Sequence, residues 1–339
     1  MENRSNVGSL LEQEGDVKRY GLMPSAPALE DTELEMLQPL ARQEEVVTAE
    51  PVAVVDGVLA DKHGLIIRQR FYWSQVLFGF CERKTQFKVG AWTPDMPREM
   101  RDEHFLAQPL AMEVHEDSSC CCRYTLHSTR ELKLGVFPPT NGRNPGLRFS
   151  EGWPQDQDPM LLMYRPFRCS VPCCCYMPWP QELILFDGTT QETRGRVVQD
   201  WRWWNCFWPC ERFMNAYDER DNHILTIYTP FFCGGRNGCE NCCAPTCFNH
   251  VHRSFVFRER GGQARTLDEA RRANPDGYIE VHWPGWNARG LCLQNSGAEN
   301  WVVKFPNHQE SSSKEKVLTL GAWALSNFMF WETRKNQKR

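Results

Sequence analysis

Cys239, Cys242, Cys243 and Cys247 stand at the spacing of a thiolate metal site, because two thiolates two residues apart can share one tetrahedral ion. Three further groups accompany them: Cys120-Cys121-Cys122, Cys169 with Cys173-Cys174-Cys175, and the pair Cys206 and Cys210. Should the fold bring a triplet alongside, zinc or an iron–sulfur cluster is the chemistry to expect. The plain alternative is packing, since a free cysteine behaves as a small buried hydrophobe. Structural disulfides are not expected. Met1-Glu2-Asn3-Arg4 has no basic-then-apolar leader behind it, so the expected setting is intracellular and reducing, and secretion is not expected.

Other chemistry is hard to find. Nothing in the chain resembles a nucleophile triad, a phosphate loop or a dinucleotide fingerprint, and the scattered histidines are better assigned to structure. The reading is therefore not an enzyme. Charge points the same way. Residues 1–60 carry twelve acidic and four basic side chains, about −8, which leaves about +4 for the remainder of a chain whose net charge is −4. A mildly basic folded part suits anionic surfaces, and no sequence-specific nucleic acid is expected as a partner.

The elements that must position these groups are mostly strands. Residues 1–60, with Pro24, Pro27, Pro39 and Pro51, read as an acidic tail, with one short acidic helix expected over 30–38. From Gly64 onward, short β-like runs alternate with turn clusters. Trp301, Val303 and Phe305 share one face at period two, Ile224–Tyr228 follows the turn Asp221-Asn222, and Phe255-Val256-Phe257 is rich in strand formers. That rhythm predicts an all-β barrel or sandwich. Two stretches break it. Thr266-Leu267-Asp268-Glu269 carries a capping-box signature, and Val317–Trp331 is a strongly apolar helix candidate within a helix expected over 315–333. A basic tail, 334–339, follows.

Several motifs occur in an order that resembles the phospholipid scramblases. RPFRCSVPCCC (165–175) is similar to the family's Arg-Pro run followed by clustered cysteines. Upstream, Leu77-Phe78-Gly79-Phe80 and Phe87-Lys88-Val89 resemble its first hairpin. Downstream come His282-Trp283, Glu299-Asn300-Trp301 with Phe305-Pro306, and Asn327–Glu332. The resemblance spans residues 64–333. It implies a mainly β fold, a closed antiparallel tubby-like barrel around a central hydrophobic C-terminal helix, with the barrel domain over 61–333. Physics favours the buried helix independently. Fifteen residues at about 1.5 Å each reach about 22 Å, short of a hydrocarbon core of about 30 Å.

The resemblance also assigns sites. Cys173, Cys174 and Cys175 match the family's palmitoylation positions, and two or more chains would hold the protein at a phospholipid membrane, on its cytosolic face. The family's calcium loop maps onto Glu299, Asn300 and Glu310. Gly297 replaces its first acid, so two carboxylates and one amide oxygen remain for an ion that prefers six to eight ligands. Ile279-Glu280-Val281 stands where the family has a basic nuclear-import stretch. Residues 93–107, 138–159 and 259–276 are inserted relative to the family, and are expected to carry protein partners. Two functions follow as expectations: energy-independent, bidirectional phospholipid movement linked to calcium, or a non-transporting adaptor working through the barrel and its inserted loops.

Overall fold

The computed structural model describes residues 54–70, 84–98, 100–117, 131–139, 154, 157–167, 180–200, 211–230, 232–235, 238–240, 251–258, 273–286, 300–307 and 310–331. Twelve strands form a closed antiparallel barrel. They are β1 (Gly64–Gln69), β2 (Gln86–Trp92), β3 (Leu110–Asp117), β4 (Leu132–Phe137), β5 (Leu161–Arg165), β6 (Glu182–Asp187), β7 (Thr193–Asp200), β8 (Glu211–Tyr217), β9 (His223–Pro230), β12 (Val251–Arg258), β13 (Gly277–His282) and β14 (Asn300–Lys304). Each pairs with its predecessor in the chain, except that β12 pairs with β9. The hairpin between those two, β10 (Phe232–Gly235) with β11 (Gly238–Glu240), forms its own small sheet. β14 returns to β1 with Gly64 opposite Lys304 and Arg68 opposite Asn300, and no edge of the barrel is left open.

Period-two burial explains the closure. Leu65 and Ile67 on β1, Phe87 and Val89 on β2, Met112 and Val114 on β3, and the corresponding residues of all nine other strands belong to one core cluster. The helix α3 (Ser313–Ser326), continued by a π-helical turn over Asn327–Trp331, belongs to that same cluster. Residues 316–329 of this helix are buried on every face. A helix apolar all round needs such an interior. Trp323 sits at its centre, edge-on to Phe87 at 5.0 Å and to Trp301 at 6.4 Å. Two of its hydroxyls are answered nearby. Thr319 donates to the Glu315 carbonyl at 2.7 Å, and Ser326 donates to the Met214 sulfur at 3.8 Å. Gly321 lets Leu185 pack closely on the helix, since a Cβ there would meet Leu185 Cδ2 at 2.8 Å. Among the described residues no helix is long and apolar enough to cross a membrane.

The helix begins two residues before the expected start, on a capping box. Ser312 Oγ accepts from the Glu315 N–H at 3.2 Å, and the Glu315 carboxylate accepts from the Ser312 N–H at 2.9 Å. Arg258 ties this cap to β12, donating to both Glu315 oxygens at 2.6 and 3.0 Å.

Six residues that fall inside the expected acidic tail are folded. Val54–Leu59 form a short helix, α1, with Val55 and Leu59 fully buried in the barrel core. Lys316 Nζ donates to the Leu59 and Ala60 carbonyls at 3.0 and 2.7 Å, which satisfies the C-terminal end of α1 from inside. Burial pushes the Lys316 ammonium below its ordinary pKa. The signal was the i, i+4 pair Val55 and Leu59, hidden by the acidic residues before it. Residues 1–53, the expected helices at 30–38 and 266–269, and the basic tail 334–339 lie outside the described residues.

Candidate functional site at the cysteine-bearing end of the barrel

In an up-and-down barrel the connections alternate strictly between two ends, and the observed register fixes which connection leaves from which end. Gln69, Asp117, Arg165, Asp200, Pro230 and His282 finish their strands at the same end. The connections there are 70–85, 118–131, 166–181, 201–210, 231–250 and 283–299. All sixteen cysteines of the chain fall within these six segments, and every segment holds at least one. The other end has none. Its connections are 93–109, 138–160, 188–192, 218–222, 259–276 and 305–312, which include all three inserted segments.

This separation was not readable along the chain. Cysteines 81 and 292 are 211 residues apart, yet both belong to connections that open from the same end. Of the thiolate set, Cys239 lies in β11, while Cys242, Cys243 and Cys247 lie outside the described residues. Cys173, Cys174 and Cys175 also lie outside them, in the connection that leaves Arg165 and re-enters at Glu182. Among the described residues no cluster of three or more His, Cys, Asp or Glu side chains is arranged to hold a metal ion.

The described calcium candidates are not brought together. Glu299 lies outside the described residues. Asn300 opens β14 at the cysteine-bearing end, fully buried, and its amide donates to Asp102 at 3.2 Å. Glu310 follows the other end of that strand and accepts from Arg258 at 3.3 Å. Four residues of strand, about 13 Å, separate Asn300 from Lys304 before the chain even turns toward Glu310. The two side chains face different surroundings, and each already has a hydrogen-bond partner.

The register instead assembles a polar row that the sequence reading missed. His282, Asn300, Arg68, Lys88 and Glu113 lie side by side across five adjacent strands, all pointing outward and four of them buried. The first inserted segment covers them. It leaves β2 at the far end and lies back along the wall through α2 (Asp102–Ala107), setting Met100 and Phe105 on Ile66 and Val302. Asp102 accepts from Arg68 Nε at 2.8 Å and from its Nη2 at 3.2 Å, besides the Asn300 amide. The Asp102 N–H donates to the Pro284 carbonyl at 3.1 Å. Burial pushes the Lys88 ammonium below its ordinary range, partly offset by the Glu113 charge. A cleft beside it, between Ile66, Phe105 and Pro109, has room for about one water molecule.

Two Glu-x-His pairs flank the row and are wired alike. The Met100 N–H donates to His282 Nδ1 at 3.3 Å, so Nε2 carries the proton and donates to Glu280 at 3.2 Å. Gln86 donates to His115 Nδ1 at 3.2 Å, and His115 Nε2 donates to Glu113 at 3.1 Å. The repeated Glu-x-His spacing, outward on a strand, was the signal available. His282, Arg68 and Asn300 hold Met100 and Asp102 of the 93–107 segment to the wall.

Two exposed aromatic side chains complete the cysteine-bearing end. Trp286 is 67% exposed and Phe167 is 54% exposed. Gly285, at φ +99°, turns the Trp283-Pro284-Gly285-Trp286 segment so that the two indoles meet edge-on at 5.1 Å, one buried and one in solvent. Comparison with known proteins returns no match to a family model, to a curated protein or to a solved structure.

Proposed function

We propose that this protein is a membrane-surface scaffold on the tubby-like plan of the phospholipid scramblases, without bond-making chemistry. Acyl chains on Cys173, Cys174 and Cys175 hold it at the cytosolic face of a membrane. The far end of the barrel presents residues 138–159 and 259–276 to protein partners. The observation that carries this reading is the confinement of all sixteen cysteines to the connections of one end. A single acyl chain binds marginally and two or more bind stably, so a cysteine triplet suits a lasting tether.

The interior argues for a scaffold over a conduit. Trp323, Leu320 and Phe328 fill the barrel axis within one apolar core cluster. A lipid headgroup has no polar path there. Bidirectional phospholipid movement remains the second reading, favoured by the motif order, and it would have to run along the outer surface of the protein.

Reconstitution separates the two. The full chain, made in cells that acylate proteins, is incorporated into vesicles holding a fluorescent phospholipid in both leaflets, and a membrane-impermeant quencher is added with and without calcium. The scaffold reading predicts that the protein floats with the vesicles while only the outer leaflet is quenched. Quenching of both leaflets would replace the scaffold by the scramblase, and failure to float would end both.

A further inference from the structure

We infer that the first inserted segment, 93–107, is a displaceable occupant of a docking groove on the outer wall of the barrel. The partner that takes its place is an acidic peptide, which sets a carboxylate on Arg68 where Asp102 now sits. This goes beyond the membrane reading above, since it needs neither acyl chains nor a bilayer.

The contacts of the segment define what the groove recognises. Arg68 donates to both Asp102 oxygens at 2.8 and 3.2 Å, and the Asn300 amide donates to the first of them at 3.2 Å. His282 Nδ1 accepts from the Met100 N–H at 3.3 Å, and the Pro284 carbonyl accepts from the Asp102 N–H at 3.1 Å. Met100 and Phe105 join Ile66 and Val302 in a small apolar cluster separate from the barrel core. The wall therefore reads one carboxylate, two main-chain N–H groups and two apolar side chains. Those are the features of a peptide. A phosphate group would satisfy the arginine, but it offers His282 and Pro284 no main-chain N–H. Charge selects an acidic peptide. Arg68 stands opposite Lys88 in the β1–β2 register, and Asp102 is the carboxylate that pairs with Arg68 among the described residues.

The composition of the wall suits a surface that is uncovered at times. A wall covered permanently is served as well by apolar residues, because a buried ion pair seldom recovers its desolvation cost. Where Ala273 of the third inserted segment packs, the wall is indeed aromatic, built from Phe213, Tyr228 and Phe257. Beneath the first segment it keeps Arg68, Lys88, Asn300 and His282, which water can solvate once the segment lifts. The groove also keeps its shape without its cover. The bonds from His282 to Glu280 and from His115 to Glu113 lie within the wall itself. The segment, by contrast, depends on the wall, since the six residues of α2 are too few for a helix that stands alone. It is therefore a unit that opens without unfolding the barrel.

The test uses the full chain with its thiols reduced, and a fluorescent synthetic peptide copying residues 96–109 as the probe. In the wild type the internal segment competes with the probe. Asp102→Ala, whose segment has lost its grip on Arg68, should bind the probe about tenfold tighter or more by anisotropy. A probe with alanine in place of its own aspartate at position 102 should lose that gain, and so should the double variant Arg68→Ala with Asp102→Ala. Equal affinity of wild type and Asp102→Ala, or indifference to the aspartate of the probe, would overturn the inference. So would capture of Asp102→Ala by phosphatidylserine vesicles without binding of the peptide. Hydrogen exchange of the wild type gives a second reading that needs no variant. The Met100 and Asp102 amides should exchange about a hundredfold faster or more than those of Ile66 and Ile67 in β1. Exchange of all four amides at one common rate, through global unfolding, would show that the segment never lifts and would end the proposal.

Discussion

Asp102, carried by the first inserted segment, accepts both hydrogen bonds of a side-on pair with the Arg68 guanidinium, at 2.8 and 3.2 Å. The pair is 15% and 11% exposed, so removing one partner strands the other in a poorly solvated place. Arg68→Ala and Asp102→Ala should each cost about 3 kcal/mol, the low end of the range for a buried pair because some water reaches it. The double variant should cost clearly less than the two together. Urea unfolding of the four proteins checks this, and simple additivity would show that the pair does not clamp the segment to the wall.

Glu280 lends the same wall a dependence on pH. Burial by itself would raise its carboxyl, but the hydrogen bond from His282, with the charges of Arg253 and Lys304, outweighs burial and holds it below its ordinary 4.5. A depressed carboxyl contributes stability that is fully present above the unfolded value and is lost as pH falls through the folded one. Stability of the wild type should therefore drop more steeply below about pH 4.5 than that of Glu280→Gln. Unfolding midpoints measured from pH 7 to pH 3.5 decide it, and parallel curves would remove Glu280 from the account.

Trp323 tests the filled interior. Its ring packs on Phe87 and Trp301 at the centre of the barrel, and truncation to alanine leaves a cavity that a closed sheet cannot easily collapse. Trp323→Ala should cost about 3–5 kcal/mol. A loss under 1 kcal/mol, measured by chemical denaturation, would mean that the helix is not the core of the fold.

Calcium should bind in the millimolar range or weaker. Asn300 and Glu310 sit at opposite ends of β14 and are engaged by Asp102 and Arg258 respectively. Calorimetric titration that finds micromolar affinity, lost in Glu299→Ala, would contradict this.

Much of the barrel was legible because strand burial has a period of two that survives in the sequence. Ile224–Tyr228 was readable within β9, and Phe255–Phe257 within β12. The helix was legible from its unbroken apolarity, although three successive serines concealed which one caps it, and Ser312 does. What could not be read was whatever depends on register and parity. His282, Asn300, Arg68, Lys88 and Glu113 are neighbours only once five strands are aligned. Which connections open from the same end of the barrel needs the full strand count and a closed order, which no local window contains. Val54–Leu59 went unread because six residues cannot announce a helix whose stability comes from Lys316 and the barrel core.

The most direct test of the membrane-surface account is the partition of one variant. Cys173→Ser, Cys174→Ser and Cys175→Ser are combined in the full chain, expressed in cells that acylate proteins, and membranes are separated from cytosol. The account predicts that the wild type stays with membranes until its thioesters are cleaved with hydroxylamine. It predicts that the triple variant, with an unaltered thermal transition, shifts largely to the soluble fraction and resists carbonate extraction no better than a peripheral protein. Unchanged membrane retention of the folded triple variant, insensitive to hydroxylamine in both proteins, would contradict it.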